Sequence, residues 1–229
     1  EEKAGLEFAY LDVLARSFRG EDGHQIPNLE RYIEDHPAVL VQAIVWTYKR
    51  SDRAEDPPEF RVEAEKARPM AERGFKLIQA MKRIPGSDEQ GSIDAERLAK
   101  WTETVRKSCA ELSRIGIADV VIGELLASAP IGKDGAWPCE AVRTVMEDLQ
   151  SEDMMRGVHT GVYNSRGFHT RGQGGDQERQ LAEKYRKWAQ QLRMSSPFMA
   201  SELLMKLTDT YERVAAREDT EARINQRLR

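Results

Sequence analysis

From Leu6 to Val214 the apolar residues of this 229-residue chain return at intervals of three and four, and outside one glycine-rich stretch they nowhere alternate with polar ones. A spacing of three and four lines residues up on one face of an α-helix, whereas a half-buried strand needs a period of two. The feature restricts the chain to an all-α fold. Its punctuation by Pro, Gly and Asp then divides it into eight to ten helices with short connections, arranged as stacked helical hairpins (solenoid-like) or as an irregular bundle.

The pattern predicts a first helix over 4–18, with Leu6, Tyr10, Leu14 and Phe18 on its buried face, and a short one from Asn28 to His36. A strongly apolar helix follows from Val39 to Tyr48. The polar, Pro-paired stretch Ser51–Pro58 reads as a surface connection, which suggests a division into N-terminal helices 1–56, packed on the rest, and a main helical domain 57–229. The next helix carries Met70, Phe75, Ile78 and Met81, is kinked or restarted at Pro69, and stops at Pro85-Gly86. Asp94 is an N-cap for a helix bearing Leu98, Trp101, Val105, Cys109 and Leu112. Ile117–Ala129 is the next, and Pro138 occupies the first position of another with Val142, Val145, Met146 and Leu149. Two more helices carry Leu181, Tyr185, Trp188 and Leu192, then, from Ser196-Pro197 onward, Leu203, Leu207, Tyr211 and Val214. The segments Ala95–Trp101 and Ala182–Trp188 echo one another, as a duplicated helical unit would.

At 40% hydrophobic and 32% charged residues the chain has the composition of a packed but hydrophilic protein. Two cysteines, Cys109 and Cys139, cannot form a secreted disulfide framework and read as reduced thiols. No apolar run is long enough to span a bilayer and Glu1-Glu2-Lys3 does not open a signal peptide, so a cytoplasmic location is expected. A start without methionine suggests a piece of a longer polypeptide. The net charge of −4 argues against a general polyanion binder, although the charge is uneven: residues 1–60 hold 13 acids and 7 Lys/Arg, residues 164–194 hold 3 acids and 7 Lys/Arg.

The helical pattern breaks at Gly157, and a glycine-rich loop or small β-hairpin is expected over 157–175. Arg156-Gly157, Arg166-Gly167 and Arg171-Gly172 repeat an Arg-Gly pair there, and His159 and His169 each follow the first two arginines by three residues. Glycine lets backbone N–H groups approach a ligand, and arginine and histidine donate to phosphate or carboxylate. Arg156, His159, Arg166, His169 and Arg171, with Arg179 at the start of the following helix, are therefore the candidate anion-binding residues. In the plainer structural reading, Asn164-Ser165-Arg166-Gly167 is a type I turn, and Val162 and Phe168 plug the end of the core. Arg179, Arg186 and Arg193, at heptad spacing, either extend a basic stripe or form the ordinary polar face of a helix.

Enzyme signatures are not met. Ala127–Asp134 ends in Gly-Lys but lacks the first glycine and the hydroxyl residue of a phosphate-binding loop, and it follows a helix instead of a strand. No His-Glu-x-x-His occurs, and Cys109, Cys139, His159 and His169 lack the paired spacing of a zinc site. Helical ribonucleases of the HEPN kind separate Arg and His by four to six residues; here the separation is two. No catalytic residue, metal or cofactor is expected.

The succession Tyr163-Asn164-Ser165-Arg166-Gly167, Arg171-Gly172, Gln177-Glu178-Arg179, Tyr185–Ala189, Pro197 and Tyr211-Glu212, together with Arg83–Gly86 and Gly91–Asp94, resembles the carboxy-terminal helical region of large, functionally uncharacterised bacterial proteins over residues 70 to 220. The resemblance implies no activity. It agrees with a module of a longer chain, and the leading expectation is a non-catalytic interaction or scaffold domain that contacts a protein partner or other domains of its own polypeptide. The alternative is nucleic-acid or nucleotide binding through the Arg/Gly/His segment 156–172; a nuclease or hydrolase comes third.

Overall fold

The computed structural model describes residues 1–11, 26–165 and 174–227, the side chain of Arg227 aside. Among them the fold is all-helical, and the nearest approach to a sheet is one antiparallel bridge between Ser87 and Ile93. No helix is long and apolar enough to cross a membrane among the described residues.

Helix α1 (Glu2–Ala9) and helix α2 (Pro27–Asp35) pair, the second with Pro27 in its first turn. The buried stripe of the first segment is Ala4 and Leu11, with Phe8 packed behind them, whereas Leu6 and Tyr10 are 54% and 60% exposed. This reverses the face expected from Leu6 and Tyr10, and Leu14 and Phe18 lie outside the described residues. The reason is Glu7. Its carboxylate accepts the backbone N–H groups of Asn28 and Leu29 at 3.3 and 2.7 Å, satisfying the open end of α2, so the face containing Ala4, Glu7, Phe8 and Leu11 must turn inward.

Helix α3 (Ala38–Thr47) buries Leu40, Val41, Ala43, Ile44 and Val45 and packs along helix α4 (Ala64–Ala80), where Pro69 lies within an unbroken helix. Of the face expected for α4, Ile78 is buried and Met81 beyond its end is too, but Phe75 is 49% exposed. Gly74 and Leu77 take the inner positions because the backbones come close: a Cβ on Gly74 would sit 2.7 Å from Ala43 O. Below α4, Glu30 of α2 is buried and accepts the N–H groups of Lys82 and Arg83, and Glu34 accepts Gly86 N and pairs with Arg83 and Arg97. Carboxylates thus tie the α4 exit to α2.

Helix α5 (Ala95–Glu111) begins at Asp94, whose Oδ1 accepts Glu96 N and Arg97 N at 2.9 and 3.0 Å. Leu98, Trp101, Val105, Cys109 and Leu112 are all buried, and Trp101 Nε1 donates to Ile33 O. Helix α6 (Ile115–Leu126) and helix α7 (Glu140–Leu149) both pack on α5. Pro138 does not open α7. It follows a cis peptide after Trp137 and precedes the N-cap Cys139, while Trp137 packs against Tyr185 and Trp188.

Helix α8 (Glu152–Ser165) corrects the expected break at Gly157: of the glycine-rich loop or hairpin expected over 157–175, residues 157–165 are helical, Gly174 and Gly175 lead into the next helix, and 166–173 lies outside the described residues. The glycines are there for a neighbouring helix. A Cβ on Gly157 would lie 2.2 Å from Val120 O, one on Gly123 would lie 2.2 Å from Met154 O, and one on Gly161 would meet Ala127 Cβ at 2.6 Å. Helices α6 and α8 therefore touch backbone to backbone, a contact that any larger residue would prevent.

Helix α9 (Asp176–Leu192) pairs with the last helix, which starts with an α-helical turn, Pro197–Met199, passes through a π-helical segment, Ala200–Met205, and continues as α10 (Lys206–Arg227). Tyr185 of α9 stacks on Tyr211 and meets Trp137 and Trp188 edge-on, closing this end of the core. Glu147 of α7 accepts Phe198 N and Met199 N, and Asp219 of α10 accepts Gly175 N. The same device recurs: a carboxylate on one helix satisfies the open end of another.

Candidate functional site

The close α6–α8 contact fixes the rotation of α8. With Gly157 and Gly161 against α6 and Met154, Met155, Val158 and Val162 in the core, the remaining edge presents His159, Thr160, Tyr163 and Asn164. Across from it α10 presents Thr210, Arg213, Val214 and Arg217. Together they line an open cavity of about 470 Å³, with Val214 as its apolar member and hydroxyl, amide, imidazole and guanidinium groups around it.

His159 is half-buried, and its Nε2 lies 3.0 Å from Thr210 Oγ1. The Thr210 hydroxyl also lies 2.8 Å from Lys206 O, to which it can donate, and the two contacts hold the His159 ring at the cavity wall. Burial, and then the charges of Arg213 and Lys206, push the His159 pKa below its ordinary value. Arg213 donates from Nη2 to Thr210 Oγ1 and from Nε to Asp209 O, both at 3.3 Å, and has no carboxylate partner among the described residues. Arg217 is held loosely, 3.6 Å from Glu218 and 3.7 Å from Glu221. Two guanidinium groups one helical turn apart thus edge the cavity with unfilled donor capacity.

Of the six residues nominated from the sequence, His159 alone among those described lines this cavity. Arg156 is exposed and pairs with Asp153 one turn back at 2.8 Å. Arg179 binds Asp219 and Asp176, each at 2.6 Å, which raises its pKa, and the same Arg179 contact lowers that of Asp219. It clamps the start of α9 to α10. Arg166, His169 and Arg171 lie outside the described residues. The heptad of arginines is also largely engaged, since Arg186 pairs with Glu183 and Glu212. Sequence reasoning missed Arg213, Arg217, Tyr163 and Asn164; the signal was the spacing of Thr210, Arg213 and Arg217 along one edge of the last helix.

The thiols are not arranged as nucleophiles. Cys109 and Cys139 are buried, and burial pushes Cys109 up to about 12 and raises Cys139. Among the described residues no three His, Cys, Asp or Glu side chains cluster as a metal ion would require. Compared with protein-family models, with curated proteins and with solved structures, the chain matches none.

Proposed function

We propose that this chain is a helical interaction module that grips an acidic segment of a partner protein, or of another domain of its own polypeptide, in the groove between α8 and α10. The observation that carries the reading is Arg213, which stands beside a polar cavity without a carboxylate partner among the described residues and next to a neutral imidazole. Carboxylates favour such paired guanidinium donors. The groove's size favours an acidic segment over nucleic acid: a cavity of about 470 Å³ edged by two guanidinium groups and, among the described residues, no carboxylate takes one or two carboxylate side chains, whereas a continuous phosphate backbone needs an extended basic track.

The pairing of α3 with α4 and of α5 with α6, and the succession of contacts α3–α5–α7, agree with a stacked-hairpin arrangement. The echoed segments agree with this, because Trp101 and Trp188 each donate from Nε1 to a main-chain carbonyl outside their own helix. Buried free thiols fit a reducing, cytoplasmic setting, and a domain within a large bacterial protein remains the setting that the sequence resemblance implies.

The test is fluorescence anisotropy with a labelled glutamate decapeptide and a labelled single-stranded oligonucleotide, on the wild type and on R213A/R217A. The peptide is expected to bind, to weaken as salt rises, and to lose about tenfold or more in affinity in the double variant with helicity unchanged. Binding of the oligonucleotide in preference to the peptide, or equal peptide binding by the double variant, would overturn the proposal.

A further inference from the structure

A second cavity, of about 810 Å³, opens between α3, the 3₁₀ turn Pro58–Phe60 and the start of α4, far along the chain from the α8–α10 groove. Its apolar members include the half-buried Trp46 and Phe60. The guanidinium of Arg114, 1% exposed, also lines it; Asp56 holds it through two hydrogen bonds of 2.7 and 2.8 Å, and it donates to Tyr48 O and Leu112 O.

The charges around this cavity do not balance. Five cations line it, namely Lys49, Arg50, Arg53, Arg61 and Arg114. Three carboxylates answer them: Asp52 holds Arg50, Glu55 holds Arg61, and Asp56 holds Arg114. Lys49 and Arg53 are left without an ion-pair partner among the described residues, a local surplus of two positive charges.

Arg53 is also held in an unusual backbone conformation, with φ of 59°, a left-handed value that favours glycine. The surrounding structure enforces it. Asp52 accepts Ala54 N and Ser113 Oγ and binds Arg50 through both oxygens, and Ser51 donates through its N and Oγ to Ser113 O. The network fixes the Arg53 backbone beside the cavity and leaves its head group without an ion-pair partner among the described residues.

We infer that this cavity binds a small phosphomonoester that carries a planar ring, the chemical class of nucleoside monophosphates. The dianionic phosphate matches the surplus of Lys49 and Arg53, the ring packs on Trp46 and Phe60, and the volume lies in the range of small-molecule sites. This site is independent of the α8–α10 groove, and either can fail without the other.

Isothermal titration with adenosine monophosphate, adenosine and inorganic phosphate tests the inference on wild type, K49A and R53G. Glycine at position 53 keeps the left-handed turn while removing the cation, so loss of binding in R53G is not loss of fold. The monophosphate is expected to bind below about 1 mM, and adenosine and phosphate each about tenfold or more weaker; K49A and R53G should each lose about tenfold or more. No heat with the monophosphate, equal binding of inorganic phosphate alone, or full affinity in R53G would overturn it.

Discussion

Replacing Gly157 by alanine adds one methyl group at the point where α8 crosses α6. The new Cβ would stand 2.2 Å from Val120 O and 2.9 Å from Val120 C and Cα. A carbon–oxygen contact of this kind settles near about 3.3 Å, so the helices would have to part by about 1 Å. The obstacle is backbone and has no rotamer to yield. Overpacking costs about 1–3 kcal/mol, and a backbone clash belongs at the upper end, whereas alanine in place of glycine within a helix returns about 1 kcal/mol. The net expectation is a loss of about 2 kcal/mol, or a Tm lowered by roughly 4–8 °C for a chain of this length. Gly5 in α1 supplies the control, since a Cβ there meets nothing within 4 Å. G5A should raise stability by about 0.5–1 kcal/mol. Urea and thermal unfolding followed by circular dichroism read both variants. If G157A proves as stable as the wild type or more so, residues 157–165 do not pack as a helix against α6, and the geometry of the α8–α10 groove falls with that packing.

Three further outcomes follow from buried groups. Cys109 and Cys139 should not react with a disulfide reagent at pH 8 until denaturant is added, because both thiols are buried with raised pKa values; rapid native labelling would contradict this. The folded-state pKa of His159 is depressed, so the unfolded chain takes up the proton more readily. Its contribution to stability is full above the unfolded value of about 6.5 and is lost as pH falls through the folded value, and H159Q should reduce the drop in the urea midpoint between neutral pH and about pH 5. R114A removes the buried partner of Asp56 and two main-chain contacts and should cost about 3 kcal/mol in urea unfolding; a neutral result would sink the described Asp56–Arg114 pair.

Helix α5 could be read residue by residue because everything that defines it is local: a cap at Asp94, an unbroken apolar stripe, and no competing face. Residues 157–165 could not, because the rule that glycine ends a helix describes an isolated segment. Gly157 and Gly161 are required by Val120, Glu124 and Ala127 on a helix more than thirty residues earlier. For the same reason Leu6 and Tyr10 form a plausible stripe until Glu7 is seen to cap α2 and rotate α1 the other way. The groove was half legible. His159 stood out by composition, but Arg213 and Arg217 sit in an ordinary charged stretch whose meaning depends on α8 lying alongside. The Arg53 cavity left a fainter trace still, since Ser51–Pro58 has the composition of a plain connection and its network runs to Ser113 and Arg114.

The most direct measurement of the central claim is a pH titration of the His159 ring by NMR, in the free protein and with the glutamate decapeptide at saturation. The ring is expected to titrate below about 6.5 when free, and to shift upward with peptide as a carboxylate enters beside Arg213. A His159 pKa that stays the same with the peptide bound would place the acidic segment elsewhere and contradict the groove as the binding site.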